Sequence, residues 1–128
     1  MRHLDKISQS EAYQNAIFES CSIFDPTAKF DPYDMLIYND IPYINTTPYF
    51  VNKDEPFDHA AYWELMRKWS LKNIVFTSER TAPPDFVSVA SYKTRGRTEH
   101  LFVWKDTPWM KIINTVRAAA NTRPLPLK

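Results

Sequence analysis

The sequence predicts an α/β fold, a sheet of mostly parallel strands with an antiparallel hairpin at one edge and helices flanking it. Three observations predict it. Met35-Leu36-Ile37-Tyr38 is a short continuous apolar run with no polar alternation, the pattern of a parallel strand covered on both faces. Downstream, Tyr62, Leu65, Met66 and Trp69 recur at i, i+3, i+4 and i+7, the stripe of an amphipathic helix. Last, Phe86 to Tyr92 and Glu99 to Trp104 flank Thr94-Arg95-Gly96-Arg97, two strands joined at a glycine bend.

In chain order, Ser8-Gln9-Ser10-Glu11 fits a capping box that starts a short helix through Tyr13, Ala16 and Ile17; the segment Ala16 to Phe24 reads equally well as an extended strand. Asp25-Pro26 and Asp31-Pro32 mark a loop before the first predicted strand. After that strand comes a polar loop, Asn52 to Pro56, and then Asp58, placed to cap the amphipathic helix, with Glu64 and Lys68 one turn apart on its solvent side. Asn73 to Glu79 is the next strand, and Thr81-Ala82-Pro83-Pro84-Asp85 a rigid loop. Thr107-Pro108 opens a last helix with proline at its first position and an apolar face of Trp109, Ile112, Ile113 and Val116. Asn121 to Lys128, with two prolines, reads as a ragged tail.

Composition narrows the function. A chain of 128 residues is the size of one domain. Its net charge of +1 provides no global attraction to nucleic acid or membrane, so such binding requires a local patch. Cys21 is the single cysteine, which excludes an internal disulfide and points to a reducing compartment. No apolar run reaches the roughly 20 residues of a membrane span, and the expectation is a soluble intracellular protein. Gly96 is the only glycine, so neither a Walker loop nor a G-x-G-x-x-G turn is present. Ligands of open α/β sheets bind beyond the carboxyl ends of the strands. Asp40, Pro42 and Tyr43 sit at one such end, and Ser78, Glu79 and Pro83 at the next.

Asp40-Ile41-Pro42-Tyr43 resembles the Asp-Pro-Pro-Tyr motif of the Dam-like adenine DNA methyltransferases, and five further segments follow in the family's order. They are Thr46-Thr47-Pro48-Tyr49, Phe57-Asp58-His59-Ala60-Ala61-Tyr62-Trp63, Ile74-Val75-Phe76-Thr77-Ser78-Glu79 with Ala82-Pro83-Pro84-Asp85-Phe86, and Thr98-Glu99-His100-Leu101-Phe102. The likeness covers roughly residues 15 to 105 and implies a partial Rossmann-like methyltransferase sheet. It implies that Asp40 and the carbonyl of residue 41 accept hydrogens of an adenine amino group, while Tyr43 stacks on a base flipped out of the duplex. Ile41 replaces the first proline, as in the Asn-Ile/Leu-Pro-Tyr/Phe form of related ribosomal-RNA adenine methyltransferases, and Asn45 stands where the family has glycine.

In that family a glycine-rich S-adenosylmethionine loop precedes the Asp-Pro-Pro-Tyr motif, whereas the 39 residues before Asp40 contain no glycine. The resemblance therefore implies the C-terminal, acceptor half of such an enzyme, with no cofactor of its own; S-adenosylmethionine enters only if a partner chain supplies its site. The expected function is a truncated, non-catalytic homologue acting through binding or assembly, for instance as a viral or phage component. The alternative is the catalytic subunit of a split enzyme. A sheet edge left by the missing strands calls for a partner chain or a second copy to cover it. DNA is a further possible partner, through the basic hairpin tip of Lys93, Arg95 and Arg97, which reads equally as a solvated turn.

Several residues have plainer readings. An Asp-x-Pro sequence after a strand is also ordinary turn chemistry. Trp63 and Trp69 are expected to pack on the sheet, His59 to be solvated or capping in the first helical turn, and Glu79 to pair with Arg80 or Arg97.

Overall fold

The structure is a computed structural model that describes residues 14–17, 22–24, 30–43 and 56–122, the last three of these by backbone alone. The chain divides into two compact units, Met1–Asp31 and Pro32–Lys128. In the first, Gln14 and Asn15 are helical and Ile23 and Phe24 lie in a turn; the Ser8–Glu11 capping box and the rest of the Ala16–Phe24 segment fall outside the described residues. The second unit contains β1 (Leu36–Asp40), α1 (His59–Trp69), β2 (Ile74–Glu79), β3 (Phe86–Thr94), β4 (Arg97–Trp104) and α2 (Met110–Thr122).

These strands form an open mixed sheet in the order β1-β2-β4-β3. β1 and β2 are parallel, with Leu36 opposite Ile74 and Asp40 opposite Ser78. β4 runs antiparallel to both its neighbours, so β3 points the same way as β1 and β2. The hairpin is where the sequence places it, but its second strand is inserted beside β2 and its first strand takes the edge. Burial accounts for this: Val103 of β4 is almost fully buried, while most of β3 is exposed. The bend is built from Arg95 (φ 48°) and Gly96 (φ 78°), two consecutive left-handed residues that match the twist of the strands they join. A bulge between Ser88 and Ala90 turns Val89 into the core.

β1 departs from expectation. A strand covered on both faces would bury its apolar run, yet Leu36 is 72% and Tyr38 62% exposed. Only Ile37 joins a core, because α1 covers that face of β1 and α2 lies further along the opposite face. Among the described residues no strand pairs with the outer edge of β1.

α1 forms as its pattern predicts. Asp58 accepts a hydrogen bond from the Ala61 backbone N–H at 3.0 Å, satisfying one donor of the first turn. Tyr62, Trp63, Met66 and Trp69 are buried with Val75, Phe86 and Phe102, while Glu64 and Lys68 face solvent. The Trp63 ring lies 4.6 Å from that of Phe86 and meets Phe102 edge-on at 6.5 Å, which settles Trp63 and Trp69 as packing residues. Burial of each such side chain is worth about 1.5–3 kcal/mol. The Tyr62 hydroxyl, 2.6 Å from Thr77 Oγ1, is pushed up to about 12 by burial.

Thr107 accepts a hydrogen bond from the Trp109 backbone N–H and donates its own to the Ser70 carbonyl, tying the start of α2 to the end of α1. Of the apolar face predicted for α2, Ile113 is buried against Val89 and Val103, whereas Ile112 and Val116 are exposed. They line one wall of an apolar groove of about 530 Å³ whose floor includes Leu36, Ile74, Phe76 and Leu101. Asn121 and Thr122, expected in the tail, close α2, and residues 123–128 lie outside the described residues.

The loop after β2 is anchored by Asp85, which accepts two hydrogen bonds from Arg67 at 2.6 and 2.9 Å and one from the Trp104 indole at 3.2 Å. The hydrogen bonds from Arg67 hold the Asp85 carboxyl down at about 2. The unfolded chain has a value of about 3.9, so the folded state favours the charged form. Its contribution is complete above that unfolded value and is lost as the pH falls from about 4 towards 2. Urea denaturation across this range should show the loss, and Asp85→Asn should flatten the profile; the bidentate but partly exposed pair should couple by about 1 kcal/mol in a double-mutant cycle.

Candidate functional site

The register of β1 against β2 builds the site. Asp40 ends β1 directly beside Ser78 near the end of β2, and the chain then turns through Ile41, Pro42 and Tyr43. Ile41 is buried in the core beneath α1, which pins the motif to the sheet. The four residues Asp40-Ile41-Pro42-Tyr43 thus lie at the carboxyl ends of the parallel pair, the place the sequence assigns them.

Tyr43 is held at its hydroxyl edge. Its oxygen lies 2.9 Å from Ser78 Oγ and donates to Glu99 Oε2 at 3.1 Å. The same Glu99 oxygen accepts from the Tyr92 hydroxyl at 2.7 Å. Burial raises the Tyr43 phenol, and the charges of Glu99 and Asp40 raise it further. Tyr92, on the exposed hairpin, is raised to about 12 chiefly by its bond to Glu99, whose own carboxyl is lowered first by that bond. The ring of Tyr43 carries the Arg80 guanidinium over one face, 5.1 Å from its centroid.

α1 supplies the other wall. The Pro42 carbonyl can only accept, so His59 Nε2 donates to it at 2.7 Å and holds the motif's backbone from the first helical turn. His59 is therefore no solvated residue. The same nitrogen lies 3.8 Å from Glu79 Oε2. Glu79 is 1% exposed, and its partner in the following loop is the backbone N–H of Arg80, at 2.7 Å, where the sequence suggested a side-chain ion pair. His59, Trp63, Glu79, Thr81, Ala82 and Pro83 line a cavity of about 290 Å³.

Lys93, Arg95 and Arg97 are all exposed near the hairpin bend. Because β2 ends at Glu79 opposite His100, the distal hairpin, with Tyr92 paired to Glu99 and Lys93 to Thr98, extends past the carboxyl ends of β1 and β2. The basic tip and the Asp40 motif therefore lie at the same end of the sheet. The segment Thr46–Tyr49 and Asn45 lie outside the described residues. Among the described residues no cluster of His, Cys, Asp and Glu is arranged to hold a metal ion, and no helix is long and apolar enough to cross a membrane.

No family model, curated protein or solved structure matches the chain.

Sequence reasoning missed Glu99, Tyr92 and Arg80 as members of this site. Glu99 belongs to the Thr98-Glu99-His100-Leu101-Phe102 segment, but only the antiparallel pairing of β4 with β2 reveals that it faces Tyr43. Replacing Glu99 by Gln should remove the charge that raises both phenols. In ultraviolet titration of the tyrosines, one of the two groups ionising near 12, Tyr92, should fall towards the ordinary value of about 10, while Tyr62, raised by burial, should stay high. A Tyr92 that keeps its high value in Glu99→Gln would disprove this assignment.

Proposed function

We propose that this chain is an adenine-methyltransferase-like protein that carries the acceptor side of a reaction pocket and works through binding or assembly, without methylating DNA by itself. The observation that carries the reading is the placement of Asp40-Ile41-Pro42-Tyr43 at the carboxyl end of β1 beside Ser78. There the Asp40 carboxylate is an acceptor for amino hydrogens, and the tethered ring of Tyr43 is a surface for a planar base. The parallel β1-α1-β2 crossover followed by an antiparallel hairpin supports a Rossmann-like, methyltransferase-type sheet. Lys93, Arg95 and Arg97 at the same end of the sheet support contact with a nucleic-acid backbone.

Catalysis needs a methyl donor, and the residues before Asp40 contain no glycine-rich turn to hold S-adenosylmethionine. A single stacking contact is worth about 1–3 kcal/mol, less than the several kcal/mol lost on association. Free adenosine should accordingly bind no tighter than millimolar, and calorimetry should detect no micromolar binding of S-adenosylmethionine. Methyl transfer to unmethylated duplex DNA by the chain alone, abolished by Asp40→Ala, would refute the reading and establish an enzyme. Transfer that appears only with a second chain would instead identify the catalytic subunit of a split methyltransferase.

Assembly is favoured by β1, whose outer edge has no strand partner among the described residues and whose Leu36 lines the apolar groove beside α2. Light scattering across micromolar concentrations should show a particle larger than one chain, or a monomer that a partner converts to a complex. Leu36→Lys should shift either equilibrium towards the free chain while leaving the far-ultraviolet circular dichroism unchanged. A strict monomer with no partner, unaffected by Leu36→Lys, would count against assembly through this edge.

A further inference from the structure

The Tyr43 ring, read above as a platform for a base, is already occupied. The Arg80 guanidinium, itself planar and bearing several N–H donors, lies over it at 5.1 Å. Two features fix this arrangement from the tyrosine side. The hydroxyl is tied to Ser78 and Glu99, so the ring cannot swing away from Arg80. Asp40 and Glu99 act electrostatically on the same ring, so the surroundings favour a group that brings positive charge or N–H donors over an anion.

Arg80 is held more loosely. Its backbone N–H is fixed by Glu79, but its Nε is buried and makes no hydrogen bond among the described residues. A buried donor without an acceptor is a standing penalty, and displacement of the side chain into water relieves it. Tyr43 is thus a rigid platform carrying a displaceable cation.

We propose that Arg80 is a resident occupant of the pocket: its guanidinium fills the stacking seat on Tyr43, and a planar ring with an N–H-rich edge binds there only by displacing it. The proposal rests on the reading of Tyr43 as a ligand platform and adds to it a competition within the chain. The ligand class follows from what Arg80 imitates. A flat group with amino hydrogens can replace its stacking and bring donors towards Glu99, on whose carboxylate the Arg80 charge acts, whereas an inorganic phosphate can do neither. Because the seat is filled from the same chain, every external ligand binds against a local competitor and its apparent affinity is reduced by the fraction of seats left open.

The test uses the full chain with Arg80→Ala, and with Arg80→Gln as a second variant that keeps the aliphatic stem. Both should have the circular dichroism of the unaltered protein. Binding is followed by the shifts of the Tyr43 ring protons in nuclear magnetic resonance. Methylguanidinium, the detached end of the missing side chain, should bind both variants and not the unaltered protein, and Tyr43→Leu in the same background should remove that binding. Adenosine should bind the variants about two- to fivefold more tightly than the unaltered protein, the factor corresponding to an exposed cation–π contact. Failure of methylguanidinium to bind either variant, or equal binding to all three proteins, would overturn the proposal. Weaker adenosine binding by the variants would also overturn it, making Arg80 a ligand contact. Methylguanidinium binding with no response to adenosine would uphold Arg80 as the occupant while refuting the base-platform reading.

Discussion

The position of the motif depends on one buried side chain, Asn73. It is 1% exposed, sits in the turn between α1 and β2, and reaches three backbone groups at once. Its Nδ2 donates to the carbonyls of Trp69 and Pro32, both at 2.9 Å, and its Oδ1 accepts from the Met35 N–H at 2.9 Å. The first bond closes the end of α1, and the other two hold the chain entering β1. With Asp34 N–H bonded to the Lys72 carbonyl and Ile74 N–H to that of Met35, they lock Leu36 opposite Ile74. A slip of one residue would turn every side chain of β1 to the other face and take Asp40 away from Ser78. Asp34, forced to φ 57°, bears the strain of this entry.

From that register the site assembles by contact. α1 follows because Ile37 and Asn39 face it, the latter donating from Nδ2 to Met66 Sδ at 3.2 Å. His59, at the first turn of the same helix, then meets the Pro42 carbonyl. On the other side, β4 is drawn against β2 by its buried Phe102 and Val103 and brings Glu99 to Tyr43. The core beneath is largely apolar and aromatic, and the polar groups buried in it or at its rim, such as the Tyr62 and Thr77 hydroxyls, Asn73 and Thr107, are hydrogen-bonded.

The sequence made the local elements legible where one periodicity dominated. α1 is readable because its apolar stripe, its Asp58 cap and its charged face agree, and the hairpin because the only glycine falls between two β-forming segments. The neighbourhood of the site was readable for a related reason, since a carboxylate and a proline end an apolar run at a strand terminus. What the sequence did not carry was strand order. Nothing local states that β4 inserts beside β2, and Glu99, Tyr92 and Arg80 enter the site only through that pairing and the loop after β2. The exposure of β1 is not legible for the same reason, because a continuous apolar run has no period to say which face a neighbouring helix covers. The helical position of His59 does not disclose its partner, because a backbone carbonyl 17 residues away in sequence leaves no pattern.

Glu79 joins the two parts of the site. One of its oxygens accepts from the Arg80 backbone N–H, and the other lies near His59 Nε2; the residue also lines the cavity between Trp63 and Pro83. A buried carboxylate needs such partners, because without them its charge would carry a large desolvation cost. The consequence is mechanical. Arg80 cannot shift its backbone without releasing an acceptor bond of Glu79, so the freedom this geometry leaves to Arg80 lies in its side chain, beyond the fixed N–H. Tyr43 is held at its hydroxyl and Pro42 at its carbonyl by contacts from β2, β4 and α1, whereas Arg80, over the Tyr43 ring, has a buried Nε with no hydrogen bond among the described residues.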